Sequence, residues 1–228
     1  MGRSENRRAI ARYGIMGGTF NPVHLGHLRA AEEVAELLDL AHLTFIPSAK
    51  PPHKREKELL SFGHRWRMLE LAVAGNPRFR LSDLEYRRPG KSYSVETLSQ
   101  LSSQYGLDAQ LYFVLGLDAF LELPTWKRYR ELFSLCHFVV VGRPGHSPSA
   151  LKTMLQNQVS ARYRHDAEVE GFVHSELYTV YYREVTLLDI SSSRIRDLLA
   201  RGKSVRYLLP AKVVAYIYKQ GLYKGGET

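Results

Sequence analysis

This chain is poor in cysteine, in acid and in long apolar runs, and each shortage removes a class of protein. One cysteine, Cys136, stands among 228 residues. A single thiol cannot build an intrachain disulfide framework, which points to a reducing compartment. Cys136 opens the apolar stretch Leu135-Cys136-His137-Phe138, so a buried structural thiol is expected rather than a nucleophile. No apolar run approaches the roughly 20 residues that span a bilayer. Residues 1–12 are polar and basic with no apolar centre, so they do not read as a secretory leader. The expectation is a cytoplasmic protein with no membrane partner. Asp and Glu total 23 against 32 Lys and Arg, a net charge of +9. That excess suits polyanions, whether nucleic acids or nucleoside triphosphates. The basic residues are scattered, from Arg7-Arg8 through Lys50, Arg65, Arg67 and Arg87-Arg88 to Arg194 and Arg196. No recognition helix, zinc finger or aromatic–basic RNA motif gathers them, so no nucleic-acid partner is expected.

What is present is an alternation of strands and helices. At 44% apolar residues the chain can bury a full core. Short strands are expected at Tyr13–Met16, Leu43–Ile46, Phe79–Leu81, Leu111–Leu115, Phe138–Val141 and Glu184–Leu188. Helical spacing marks Leu25–Leu38, Phe62–Ala74, Ser94–Tyr105, Leu117–Phe133 (broken at Pro124), Ser193–Ala200 and Pro210–Gln220. Residues 146–177 give no clear pattern beyond a helix plus loop. Strand–helix alternation implies right-handed crossovers and an α/β fold, a mostly parallel twisted sheet with helices on both faces. Residues 13–228 read as one domain, with residues 1–12 a basic extension and the part from about 190 helical. A homo-oligomer is compatible with this reading, and nothing in the sequence fixes it.

Ligands in such sheets bind at the carboxyl ends of the strands. The densest chemistry falls there, in Gly17-Gly18-Thr19-Phe20-Asn21-Pro22-Val23-His24-Leu25-Gly26-His27. The glycines let a phosphate approach the backbone, and a new helix aims its N–H groups and positive dipole end at it. His24 and His27 lie on one side of the first helical turn. A zinc pair lacks further ligands at the usual spacing, and a pair of packing histidines fits a double glycine at a strand end poorly. The run is neither the Gly-x-Gly-x-x-Gly fingerprint nor a P-loop, since it lacks that loop's Lys-Ser/Thr. A second cluster, Ile190-Ser191-Ser192-Ser193-Arg194-Ile195-Arg196, follows the last expected strand and opens a helix. Its serines can cap N–H groups or meet phosphate oxygens, and its arginine can pair with phosphate. An ordinary capped helix with a solvated face would look the same in isolation.

Together the two clusters resemble the paired signatures of the nucleotidyltransferase superfamily, Gly-Gly-Thr-Phe-Asp/Asn-Pro-x-His-x-Gly-His and Ile-Ser-Ser/Ala-Thr-x-Ile-Arg. Pro51-Pro52-His53-Lys54, Ser92–Leu98, Gly116-Leu117-Asp118 and Pro124-Thr125-Trp126 are similar to segments of the bacterial nicotinate-nucleotide adenylyltransferases. The likeness runs to Leu208-Leu209-Pro210 and Gln220-Gly221-Leu222-Tyr223. Ser94 and Ser193 stand where the family often has threonine, and both keep the hydroxyl. The resemblance implies a Rossmann-like nucleotidyltransferase fold. It also implies transfer of the adenylyl group of ATP to nicotinate mononucleotide, giving the dinucleotide and pyrophosphate in NAD biosynthesis.

The resemblance further implies roles for individual residues. His24, His27 and Arg196 would be catalytic. Gly17, Gly18, Thr19, Phe20, Gly116, Asp118, Ile190, Ser191, Ser192 and Ser193 would join them in binding ATP, with Asp118 on a ribose hydroxyl. Thr19, His53, Lys54, Ser94, Trp126, Lys127 and Arg143 would bind nicotinate mononucleotide. There Trp126 would stack on the pyridine ring, and Ser94 with backbone N–H groups near Trp126 and Lys127 would hold its carboxylate. Mg²⁺ would bridge substrate phosphates without firm protein ligands. Two alternatives stand beside this reading. One is a sister adenylyltransferase or cytidylyltransferase with another phosphorylated acceptor. The other is a non-enzymatic nucleic-acid-binding protein, which rests on charge alone.

Overall fold

A computed structural model describes residues 10–52, 59–106, 108–142, 149–186 and 188–224. Eight strands form one sheet: β1 (Ala11–Gly18), β2 (His42–Pro47), β3 (Phe79–Leu81), β4 (Ala109–Gly116), β5 (His137–Gly142), β6 (Arg164–Asp166), β7 (Gly171–Val173) and β8 (Val180–Glu184). Their order across the sheet is β3-β2-β1-β4-β5-β8-β7-β6. The first six in that order pair parallel, and β7 and β6 extend the edge antiparallel. The chain runs outward from β1 to β3, then returns to place β4 on the other side of β1. That reversal opens a crevice beyond the carboxyl ends of β1 and β4.

Alternate residues of the central strands serve two cores, as the twofold period of a strand requires. Met16, Phe45, Val114 and Val139 face one core. Helices α1 (Leu25–Leu37), α2 (Phe62–Val73), α7 (Ser192–Ala200) and α8 (Ala211–Gln220) cover it, through residues such as Val34, Met68, Ile195 and Val213. Ile15, Ile46, Phe113 and Phe138 face the other, under α4 (Ser94–Tyr105), α5 (Leu117–Leu121) and α6 (Ser149–Met154). A single turn, α3 (Leu84–Arg87), precedes α4. Cys136 lies in the second core, fully buried, and burial pushes its thiol pKa up. Among the described residues, no helix is long and apolar enough to cross a membrane.

Four local expectations need correction. The last central strand is Val180–Glu184 rather than Glu184–Leu188, because Val180 and Tyr181 pair with Phe138 and Val139. Val185, Thr186 and Leu188 lie outside the sheet, and the Thr186 N–H donates to Glu33 instead. The helix expected over Leu117–Phe133 is broken more than once. It becomes α5, a 3₁₀ turn at Leu123–Thr125 and another at Tyr129–Ser134, with left-handed Arg128 (φ +50°) between. Finally, the unpatterned stretch 146–177 contains α6, a wide π-type turn at Leu155–Val159, and the hairpin β6–β7. Strand β1 also begins at Ala11, two residues earlier than expected, where Ala11 pairs with Ala109.

Candidate active site

A cavity of about 700 Å³ fills the crevice at the carboxyl ends of the central strands. Its size suits a small-molecule site. Thirteen of the anticipated residues line it: Gly17, Gly18, Thr19, His24, His27, Ser94, Gly116, Asp118, Trp126, Lys127, Ile190, Ser191 and Ser192. Three do not. Phe20 is buried and packs its ring edge-on to His27 and Phe45. Ser193 is exposed beside Ser191, and Arg196 sits one turn inside α7. His53, Lys54 and Arg143 lie outside the described residues.

One end is built by the turn between β1 and α1. His24 occupies the N-cap of α1, and its backbone N–H donates to His27 Nδ1 at 3.2 Å. The two rings stack with centroids 3.6 Å apart. Gly26 makes room for this: a Cβ there would come within 3.1 Å of His24 Nδ1. His24 is only 7% exposed, and burial holds its pKa at about 4. Burial and the neighbouring His24 hold His27 well below the ordinary imidazole value. Both rings are therefore neutral at pH 7. Because His27 Nδ1 is an acceptor, its proton is assigned to Nε2, where it can be donated. The Leu25 N–H is taken by the Leu208 carbonyl, so the helix start offers fewer open donors than its position suggests.

Helix α7 braces this turn. Ser191 caps α7 by accepting from the Arg194 N–H, the Ser192 hydroxyl donates to the Pro22 carbonyl at 2.8 Å, and Arg196 donates to the Asn21 carbonyl at 2.9 Å. The second signature thus holds the first in place, 170 residues away. Two further braces escaped the sequence reading. Tyr223 donates to Asn21 Oδ1 at 2.8 Å. Arg65, 1% exposed, donates to the carbonyls of Thr19, Ala49 and Leu60. Nothing in the sequence separated Arg65 from the scattered surface cations.

The other end lies between α4 and the broken segment after α5. Trp126 stands edge-on to Phe113, half-buried. Its backbone N–H donates to the Leu123 carbonyl at 2.8 Å, which leaves the Lys127 backbone N–H and the Ser94 hydroxyl as the donors anticipated there. Lys127 Nζ is committed to Glu96 at 2.8 Å and lies 4.2 Å over the Tyr93 ring. Gly116 lines the cavity, and a Cβ there would meet nothing within 4 Å. Among the described residues, no group of three or more His, Cys, Asp or Glu is gathered to hold a metal ion.

A family model described as cytidylyltransferase-like matches residues 15–198, which takes in both signatures, and the chain belongs to that nucleotidyltransferase family. A probable nicotinate-nucleotide adenylyltransferase of Geotalea daltonii is 47% identical over 95% of this chain and 100% of its own. One from Geotalea uraniireducens is 46% identical over 93% and 98%. With identity of this extent over whole chains, the branch to which the protein belongs is that of the nicotinate-nucleotide adenylyltransferases. The fold agrees with a Plasmodium falciparum nicotinic acid mononucleotide adenylyltransferase solved in complex with NaAD. It has a TM-score of 0.72 at 19% identity, covering 93% of this chain and 97% of that one.

Proposed function

We propose that the protein transfers the adenylyl group of ATP to nicotinate mononucleotide, with the triphosphate at the histidine end and the pyridine ring at the Trp126 end. The observation that carries this is a single cavity with neutral imidazole donors at one end and an aromatic ring with Ser94 at the other. A phosphate oxygen of the mononucleotide attacks the α-phosphorus of ATP; the bond to the β-phosphate oxygen breaks, and pyrophosphate leaves with the electron pair. The attacking group is already an anion, so no general base is required. The work is alignment of two polyanions and stabilisation of charge moving onto the leaving group.

His27 suits that work because its Nε2–H stays a donor: adding a proton at Nδ1 would turn it against the His24 N–H. His24 shares the phosphates. Arg196 and Ser192 fix the turn that carries the triphosphate, and Asp118 meets a ribose hydroxyl. Trp126 stacks on the pyridine, while the Ser94 hydroxyl and the Lys127 N–H donate to its carboxylate. Mg²⁺ entering with the triphosphate would supply charge neutralisation for the leaving pyrophosphate. The lone buried thiol of Cys136 supports a cytoplasmic setting.

Incubating the protein with ATP, Mg²⁺ and nicotinate mononucleotide should yield the dinucleotide and pyrophosphate in equal amounts. Turnover only with a different phosphorylated acceptor, or with CTP, would overturn the assignment.

A further inference from the structure

A carboxylate on the wall of a cavity for two polyanions works against binding unless it does something else. Glu85 is such a group: 6% exposed, at the cavity wall, and unused by phosphate transfer or ring stacking. Its Oε1 accepts the Thr97 hydroxyl at 2.8 Å. Thr97 Oγ1 in turn accepts from Arg88 Nη2 at 3.1 Å, and Arg88 Nε lies 3.5 Å from Glu96, which holds Lys127. Beside it, Ser92 Oγ accepts the N–H groups of Ala49 and Lys50 at 3.0 and 3.1 Å, which ties the 48–50 turn after β2 to the start of α4. With both lone pairs of that oxygen engaged, its hydroxyl proton is the one left to turn toward Glu85, whose second oxygen is buried with no partner within hydrogen-bond distance among the described residues. Glu85 thus sits between Thr97 on α4 and the serine that joins α4 to the 48–50 turn.

We propose that Glu85 is a positioning residue for the acceptor end. Acting through Ser92 and Thr97, it sets the separation between the 48–50 turn and Ser94, and so the affinity for the acceptor mononucleotide. This rests on the reading that the Ser94–Trp126 end takes the acceptor. The position needs an acceptor-only group, because the Thr97 hydroxyl donates to it and the Ser92 hydroxyl lies beside it. Glutamine has the same shape, but its NH₂ would face one of those hydroxyl donors.

The test is steady-state kinetics with each substrate varied in turn, on folded variants checked by thermal melting. Glu85→Gln should raise the KM for nicotinate mononucleotide by ~10-fold, with kcat and the KM for ATP within about twofold. Thr97→Val should move the same parameter in the same direction, and Thr97→Ser, which restores the hydroxyl, should return it. This pair carries the test if Glu85→Gln does not fold. Trp126→Ala is the control for the underlying reading and should raise the acceptor KM. If it does so while Glu85→Gln and Thr97→Val leave that KM unchanged, or raise both KM values together, the inference is overturned and the reading stands. If Trp126→Ala instead raises the KM for ATP, the two ends are reversed and both fall.

Discussion

The two ends of the cavity hold charge in opposite ways. At the histidine end the groups that face the cavity are neutral; His24 and His27 are stripped of their protons by burial, and the cations Arg65 and Arg196 are spent on carbonyl oxygens behind the turn. At the Trp126 end, charges are present but tied to one another through Arg88, Glu96 and Lys127. A neutral donor binds a polyanion less tightly than a fixed cation in the ground state. Its hydrogen bond strengthens as charge moves onto the phosphate during reaction, which is where binding becomes catalysis. In the proposed reaction the first end serves the transition state, and the second the choice of acceptor.

The sharpest way to break this contrast is His27→Ala. We expect kcat to fall ~10²–10³-fold, the usual cost of one lost transition-state donor, with ATP affinity by calorimetry within a few-fold. Near-normal turnover would remove the distinction between the ends. Acceptor choice probes the second end. Nicotinate mononucleotide should exceed the nicotinamide form in kcat/KM by at least ~10²-fold, because an amide NH₂ would meet donors that need an acceptor. Ser94→Ala should narrow that gap, whereas Trp126→Ala should weaken both acceptors alike. Equal efficiency for the two acceptors in the wild type would reject the donor-only pocket. A smaller effect is expected of Arg196→Ala, which should raise the KM for ATP by ~10-fold by loosening the Asn21 carbonyl. Acceptor binding should be intact, and calorimetry showing the reverse would exchange the two ends.

The last prediction concerns pH and stability. His24 and His137 both have pKa values lowered by burial to about 4, below the unfolded value near 6.5. Between those values the unfolded chain binds more protons, so the stabilisation is complete above pH 6.5 and is lost as pH falls toward 4. Glu85, with its pKa raised by burial, acts in the opposite sense and disfavours the folded state as pH rises above 4.5. If the histidines dominate, the melting temperature should drop by several degrees from pH 6.5 to 4. A His137→Asn variant should show a shallower drop. A flat profile would mean that the two rings are more hydrated than their surroundings suggest.

The histidine end was legible because its parts are contiguous: eleven residues from Gly17 to His27 carry turn, helix start and both rings. The seven residues from Ile190 to Arg196 were legible for the same reason, although their hydrogen bonds to Asn21 and Pro22 were not. The other end is assembled from turns after β2 and α5, from α3, and from the start of α4, so its joint at Glu85 has no local pattern. Arg65 was hidden for a different reason. It lies on a helix whose exposed face carries Arg67, and only the fold tells a buried guanidinium from a solvated one. In the sheet, Val180–Glu184 was missed because Val185 to Leu188 is the more apolar run, yet strand pairing with β5 decided the matter.

Gly26 carries a consequence for substitution. A glycine in the first turn of a helix is a poor helix former, by about 1 kcal/mol against alanine. Here it makes room for a neighbour, since a Cβ would come within 3.1 Å of the His24 ring. The two positions are therefore sterically coupled. A larger residue at 26 requires the imidazole at 24 to give way by a few tenths of an ångström, and the His27 ring stacked on it to follow. The spacing of the signature is a steric agreement between side chains as well as a matter of chemistry.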